Sequence, residues 1–293
     1  MSASLTYFPP RDAYVCPCCI ERFTKATIYG YHGFGRALRF WGAASEASPA
    51  LFLGFELEAG QATSDQCRRA AEAVHNMDPC EAHFHLERDG SIPDYGFELV
   101  SAPHTLAEHA SYGWKAVTGA MSGNGLRSHD TGGRCGLHVH VSRNFFSAED
   151  LVRLDLFVLK NRTFWEKVAR RTQVHYAAFT LKAPSDLGKA VGGRYAAINF
   201  CPEKTVEFRL FRGTLNYRTL MATLELVDGV CRWIKTQDSE TVCRNESAID
   251  AFVAWLRDGG TTYARAVEYI ALRRAFTDAN DGAGDLHDPV AAK

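Results

Sequence analysis

The chain has 293 residues, 46% of them hydrophobic and 23% charged, enough apolar material for a sizeable core and for one large domain with attachments. Lys plus Arg number 33 against 34 for Asp plus Glu, which leaves no electrostatic case for nucleic acid or an anionic membrane as partner, so any phosphate chemistry must come from a local site. No segment approaches the roughly 18 consecutive apolar residues of a membrane span, and no basic region followed by an apolar core opens the sequence, so a cytoplasmic protein is expected. The nine cysteines form an odd, scattered set that fits reduced thiols better than a disulfide framework.

Residues 1–50 carry a cysteine cluster, Cys16-Pro-Cys18-Cys19, and a Gly/aromatic stretch from Tyr29 to Gly35, with little periodicity. They read as an appended segment. Cys16 and Cys19, with His32 nearby, could be half of a structural zinc site, although a second pair is missing at normal spacing; an ordinary or redox-sensitive thiol cluster is the other reading. From Leu51 the character changes, and Leu51-Phe-Leu-Gly-Phe-Glu-Leu-Glu58 reads as the first strand of a catalytic domain spanning 51–235. A helix is expected over Ser64–Met77, then a hairpin of His83–Glu87 and Tyr95–Val100 around the turn Arg88–Ser91. Thr105 and Glu108 pattern as a capping box before a helix that fades near Gly123. The Gly-rich turn Thr131–Gly136 leads into the strand Leu137–Val141. A long helix is expected from Ser147 to about Arg171, then a second hairpin of Arg194–Phe200 and Thr205–Arg212, and a helix over Thr219–Ile234. Residues 236–276 read as a helical extension, and 277–293 as a disordered tail. About six strands, mostly antiparallel and interrupted by helices that can cover one face, define an α+β domain.

Side chains two apart on a strand share a face, roughly 6.5 Å apart. In the first strand Leu53, Phe55 and Leu57 oppose Glu56 and Glu58; Phe97 and Leu99 oppose Glu98; Leu137, Val139 and Val141 oppose His138 and His140. In the last hairpin Phe208 and Leu210 oppose Glu207 and Arg209, and Asn199 alternates with Ile198. If the strands form one sheet, a single face gathers all of these ionisable groups. Burying four carboxylates without partners costs several kcal/mol per ion, and one arginine cannot neutralise them. Divalent cations can: Mg²⁺ takes carboxylate oxygens while keeping waters and phosphates, and an imidazole also suits Mn²⁺. A solvated sheet face, or simple pairing of Arg209 with Glu207 or Glu98, is the plain alternative.

Gly54-Phe-Glu-Leu-Glu58, Gly96-Phe-Glu-Leu-Val-Ser101, Gly136-Leu-His-Val-His-Val-Ser142 and Thr205-Val-Glu-Phe-Arg-Leu-Phe-Arg-Gly-Thr-Leu215 occur in an order that resembles the amidoligase family, carboxylate-amine ligases related to glutamine synthetase and glutamate-cysteine ligase. The resemblance covers about residues 51–235. It implies a curved antiparallel sheet whose concave face binds ATP and two or three Mg²⁺ or Mn²⁺ ions, with Glu56, Glu58, Glu98 and Glu207 as metal ligands. His138 or His140 would face the metals or nucleotide phosphates, Asn199 would join the nucleotide contacts, and Arg209 with Arg212 would stabilise the transferred phosphoryl group. Asp89 and Ser91 resemble a further acidic motif. Simple alternation sets Arg212 on the face opposite Arg209, so a bulge or the strand end has to redirect it. The reaction implied is attack of a substrate carboxylate on the ATP γ-phosphate, followed by capture of the acyl phosphate by an amine. Peptide or small-molecule substrates are equally compatible. The alternatives are a metal-dependent hydrolase on the same His/Glu face, which would need no ATP, and a catalytically inactive interaction protein.

Overall fold

A sheet with one apolar and one ionisable face needs covering on the first only. The computed structural model describes residues 6–8, 13–15, 25–42, 50–92, 94–129, 134–172, 176–180, 182–190, 193–244 and 246–274. Cys16, Cys19, residues 131–133 of the Gly-rich turn and the tail from residue 277 lie outside them, and the zinc expectation with them. Strands β1 (Thr6–Phe8) and β2 (Ala13–Val15) pair antiparallel. The main sheet contains β3 (Ile28–Tyr29), β4 (Leu53–Ala62), β5 (Phe84–Glu87), β6 (Tyr95–Ser101), β7 (Gly136–Ser142), β8 (Ile198–Asn199) and β9 (Thr205–Arg212). Its seven strands run in the order β3-β5-β6-β4-β7-β9-β8. Only the β3–β5 pair is parallel. The fold is thus α+β with a mostly antiparallel open sheet, and one of its strands comes from the first fifty residues, where the sequence had offered no strand signal.

Helix α1 (Ser64–His75) is opened by Thr63, whose hydroxyl caps Gln66 while the Gln66 side chain caps Thr63 in return. Helices α2 (Leu106–Ser111) and α3 (Trp114–Gly123) replace the single helix expected over Thr105–Gly123, because Tyr112 turns to extended backbone before Gly113. Likewise the expected helix from Ser147 to Arg171 is α4 (Ala148–Lys160) and α5 (Arg162–Ala169). They part at Asn161, whose side-chain amide donates to the Phe157 carbonyl at 2.9 Å. The expected strand over Arg194–Phe200 shrinks to β8: the Tyr195 carbonyl accepts from the Ala178 amide and the Ala197 amide donates to the Ala178 carbonyl, while the Ala197 carbonyl still accepts from the Arg209 amide of β9. In α6 (Tyr217–Lys235) fifteen residues are buried, which makes it a central rod and not an amphipathic cover. Its buried acids tie in the chain beyond it. Glu225 accepts from Arg265 and from the Ala266 amide, and Asp228 from Tyr263 and Arg232. Arg232 lies in α6 itself, whereas Tyr263, Arg265 and Ala266 lie at or just before the start of α9 (Ala264–Arg274), which follows α7 (Ser239–Val242) and α8 (Glu246–Asp258). None of the helices among the described residues is long and apolar enough to cross a membrane.

The apolar side of β4 rests on a histidine–aromatic cluster. His109 Nε2 donates to the Leu53 carbonyl at 2.9 Å while its Nδ1 accepts from Trp114 Nε1 at 3.2 Å. His104 lies 2.7 Å from the Ala102 carbonyl through Nδ1 and 2.9 Å from His83 Nδ1 through Nε2. Every ring nitrogen of His104 and His109 is used in the neutral form, and burial lowers their pKa values to about 4 and about 3 from the ordinary 6.5. The unfolded chain therefore takes up these protons first as pH falls, so stability should decline on acidification from about 6.5 towards 4. In urea titrations over that range, His109→Gln should show a shallower dependence on pH than the parent; an unchanged slope would place the acid sensitivity elsewhere.

Candidate metal centre

Register decides which charged side chains meet. Across β5, β6 and β4, Glu87 stands opposite Glu98 and Glu98 opposite Glu58, a row of three carboxylates on adjacent strands. Like charges directly opposite each other are destabilising. One step along, Glu56 faces His138, and on the far side His140 faces Glu207, which faces Asn199. Glu58, Glu87, Glu98, His138, Asn199 and Glu207 are all buried. They floor a cleft of about 820 Å³ whose walls include Asp89, Arg134, Arg171 and Arg209.

Glu56 is the hub. One of its oxygens lies 3.2 Å from His138 Nδ1 and the other 3.1 Å from His140 Nε2, and both imidazoles approach Glu207 Oε1, at 3.7 and 3.9 Å. The His140 approach is close but not aligned as a hydrogen bond. Thr205 Oγ1 meets His140 Nδ1 at 3.1 Å and so orients the ring. Burial would raise the pKa of Glu56, but His140 and His138 outweigh it and hold the acid well below the usual range. Burial opposes charge on His140, yet Glu56 and Glu207 bring its pKa above the ordinary value. Glu58 is raised by burial in spite of His138 and of the Gly136 amide, which donates to its Oε2 at 2.7 Å. Gly136 has to be glycine for this arrangement, because a Cβ there would stand 2.9 Å from His138 Nε2. Glu98 goes the opposite way to Glu56: burial, and then the charges of Glu56, Glu58, Asp89 and Glu87, push it up to about 10.

Two donor sets fit divalent cations. Glu56, Glu98 and His138 offer ligand atoms within 4.8 Å of one another, as do Glu56, His140 and Glu207. Glu56 is common to both, one oxygen turned to each imidazole. Carboxylates suit Mg²⁺ or Mn²⁺ and imidazole also suits softer divalent ions such as Zn²⁺ or Fe²⁺; any divalent ion there would offset the burial and the neighbouring negative charge that raise the Glu98 pKa. Of the residues anticipated from sequence, Glu56, Glu58, Glu98, His138, His140, Asn199, Glu207 and Arg209 all line this cleft, as do Asp89 and Ser91. Asn199 has a more specific place than a nucleotide contact: its amide donates to Glu207 Oε2 at 2.6 Å and its carbonyl accepts from Cys201, which fixes the Glu207 carboxylate. Arg209 donates to Glu207 and, at 3.3 Å, to the Tyr176 carbonyl.

A β-bulge does reverse the alternation in β9. Val139 pairs with Phe208 but Leu137 with Phe211, which returns Arg212 to the face of Gly136. Even so, Arg212 does not line the cleft, whereas Arg171 and Arg134 do. His85 and Glu87 were missed in the sequence. They alternate with Phe84 and Leu86, are both buried, and interact at 3.0 Å, so the rule applied to the other strands would have found them. Arg171 follows the end of a helix and carried no signal. Tyr29, His32 and Arg36 lie on the same side: the His32 amide donates to Glu87 at 2.9 Å, and Tyr29 and Arg36 both bind Glu81.

No protein-family model matches the chain, and no curated protein matches it. What it does must be read from the cleft itself.

Glutamine in place of Glu98 imitates the protonated acid. A carboxyl whose pKa is higher in the folded than in the unfolded chain costs stability as pH rises above the unfolded value of 4.5. In EDTA at pH 8, Glu98→Gln should therefore melt no lower than the parent, while the rise in melting temperature on adding Mn²⁺ should shrink. A large drop in EDTA with an unaltered Mn²⁺ response would mean that Glu98 is a structural partner and not a ligand.

Proposed function

We propose that the protein is an ATP-dependent carboxylate-amine ligase that activates its acid substrate as an acyl phosphate. The observation carrying this reading is one cleft that combines acids fit for two cations with five arginines among the described residues, including Arg209, Arg171 and Arg134. A hydrolase that activates water on a metal needs the acids and imidazoles but not the arginines; phosphoryl transfer calls on both. The ordered motifs that resemble amidoligases point the same way.

Glu56, Glu98 and His138 would hold one Mg²⁺ or Mn²⁺, and Glu56, His140 and Glu207 a second. When bound, such ions neutralise the polyphosphate and align its terminal phosphorus for attack. The chain's own residues do the rest. Asn199 and Arg209 pin Glu207 from two sides, so its orientation does not depend on solvent. Arg209 is anchored at Glu207 and the Tyr176 carbonyl, and from there its guanidinium would stabilise charge on the transferred phosphoryl group. Arg171, whose charge is felt at Glu58 and which lines the cleft, would add positive charge to favour the leaving diphosphate. A substrate carboxylate oxygen bonds to the γ-phosphorus as the β–γ bridging P–O bond breaks and ADP leaves with the electron pair. An amine nitrogen then bonds to the acyl carbon, loses a proton, and inorganic phosphate departs.

With Mn²⁺, ATP and pooled carboxylic acids, ADP release should depend on the acid, and hydroxylamine should trap a hydroxamate. Arg209→Ala should lower kcat by roughly 10²–10³-fold, the usual cost of losing one charge-stabilising donor, with Mn²⁺ binding retained. Absence of both acid-dependent ADP release and a melting shift at millimolar ATP would contradict the proposal.

A further inference from the structure

Beside the acid-floored cleft lies a second cavity of about 990 Å³. The two adjoin, since Glu56, Val100, His140 and Leu38 line both. Their chemistry differs sharply. The second is walled by Phe40, Phe52, Phe146 and Leu151, with Lys204 and Glu203 also among its lining residues, and the one guanidinium that lines it among the described residues, Arg143, donates to the carbonyls of Phe200 and Pro202. The first has the arginines, and exposed tyrosines at its walls: Tyr31 is 56% exposed and Tyr176 52%. A nucleotide needs cations for its phosphates and a flat surface for its base, and both are offered by the arginine half. An apolar body gains most in the phenylalanine half.

We propose that this second cavity is a specificity pocket for a carboxylic acid with a bulky aliphatic or aromatic body, seated so that its carboxylate reaches the Glu56–His140 end. The inference rests on the ligase reading for its chemistry, but not for its binding. The floor of the pocket is Gly54, which faces His140 across β4 and β7. A Cβ at Gly54 would meet nothing nearer than the Ser101 carbonyl at 3.5 Å. A side chain is therefore sterically admissible there and would project into the cavity. The glycine leaves room that the strand does not require.

The test is binding of straight-chain acids from butanoate to decanoate, and of 4-phenylbutanoate, to the full chain with Mn²⁺, followed by calorimetry. Affinity should rise about threefold to fourfold per added methylene until the cavity is full, the factor expected for burying one CH₂. Gly54→Phe should weaken octanoate binding at least tenfold and Gly54→Ala only slightly, while Mn²⁺–ATP still raises the melting temperature of both variants, which also shows that they fold. No binding of any acid at millimolar concentration, or affinity indifferent to chain length, would overturn the pocket. So would loss of the ATP shift in Gly54→Phe with acid binding intact, because it would put the base in the apolar half. Acid binding with the expected length dependence, but no ATP response in any protein, would sustain the pocket and remove the ligase reading instead.

Discussion

Repulsion between carboxylates set opposite one another on neighbouring strands is the constraint on which this structure turns. Glu87, Glu98 and Glu58 occupy one row across three strands, with Glu56 a step away, and their burial removes the solvent that would screen them. A chain selected for stability alone would place alternating signs or apolar residues there. The consequence is a group, Glu98, held protonated by its surroundings, beside another, Glu56, held ionised between two imidazoles. Divergent ionisation among adjacent acids is what a site that receives positive charge would show.

The remainder of the fold keeps that row in place. Phe55, Leu57, Leu99, Val139 and Phe208 are essentially inaccessible on the opposite face, so a one-residue slip of any strand would exchange apolar for charged side chains throughout. α6 is buried along its length and tied by Glu225 and Asp228 to the C-terminal helices. β4 is fixed from behind by His109 on the Leu53 carbonyl. Register and therefore row are fixed by the apolar layer, and the ionisable face inherits its geometry from it.

Much of this was legible in the sequence because a strand's period of two is a hard rule. Alternation alone set Glu56, Glu58, Glu98, His138, His140 and Glu207 on one side, and the fold brings all of them into one cleft. What alternation cannot supply is strand order, so the row formed by Glu87, Glu98 and Glu58 could not be read, and the partner of each acid depended on pairings distant in the chain. Irregularities were equally hidden. The bulge that turns Arg212 around, the break at Asn161 and the short β8 each arise from local competition for backbone hydrogen bonds, which composition does not reveal. Arg171 and the segment holding Tyr29, His32 and Arg36 reach the cleft through tertiary packing, without periodicity to announce them.

The central claim is that the acidic floor exists to hold two divalent cations that share Glu56. Anomalous diffraction at the manganese edge, from crystals of the full chain soaked in Mn²⁺, tests it most directly. The account predicts two peaks, one between Glu56, Glu98 and His138 and one between Glu56, His140 and Glu207. Density confined to surface acids, with this cluster empty at millimolar Mn²⁺, would contradict it.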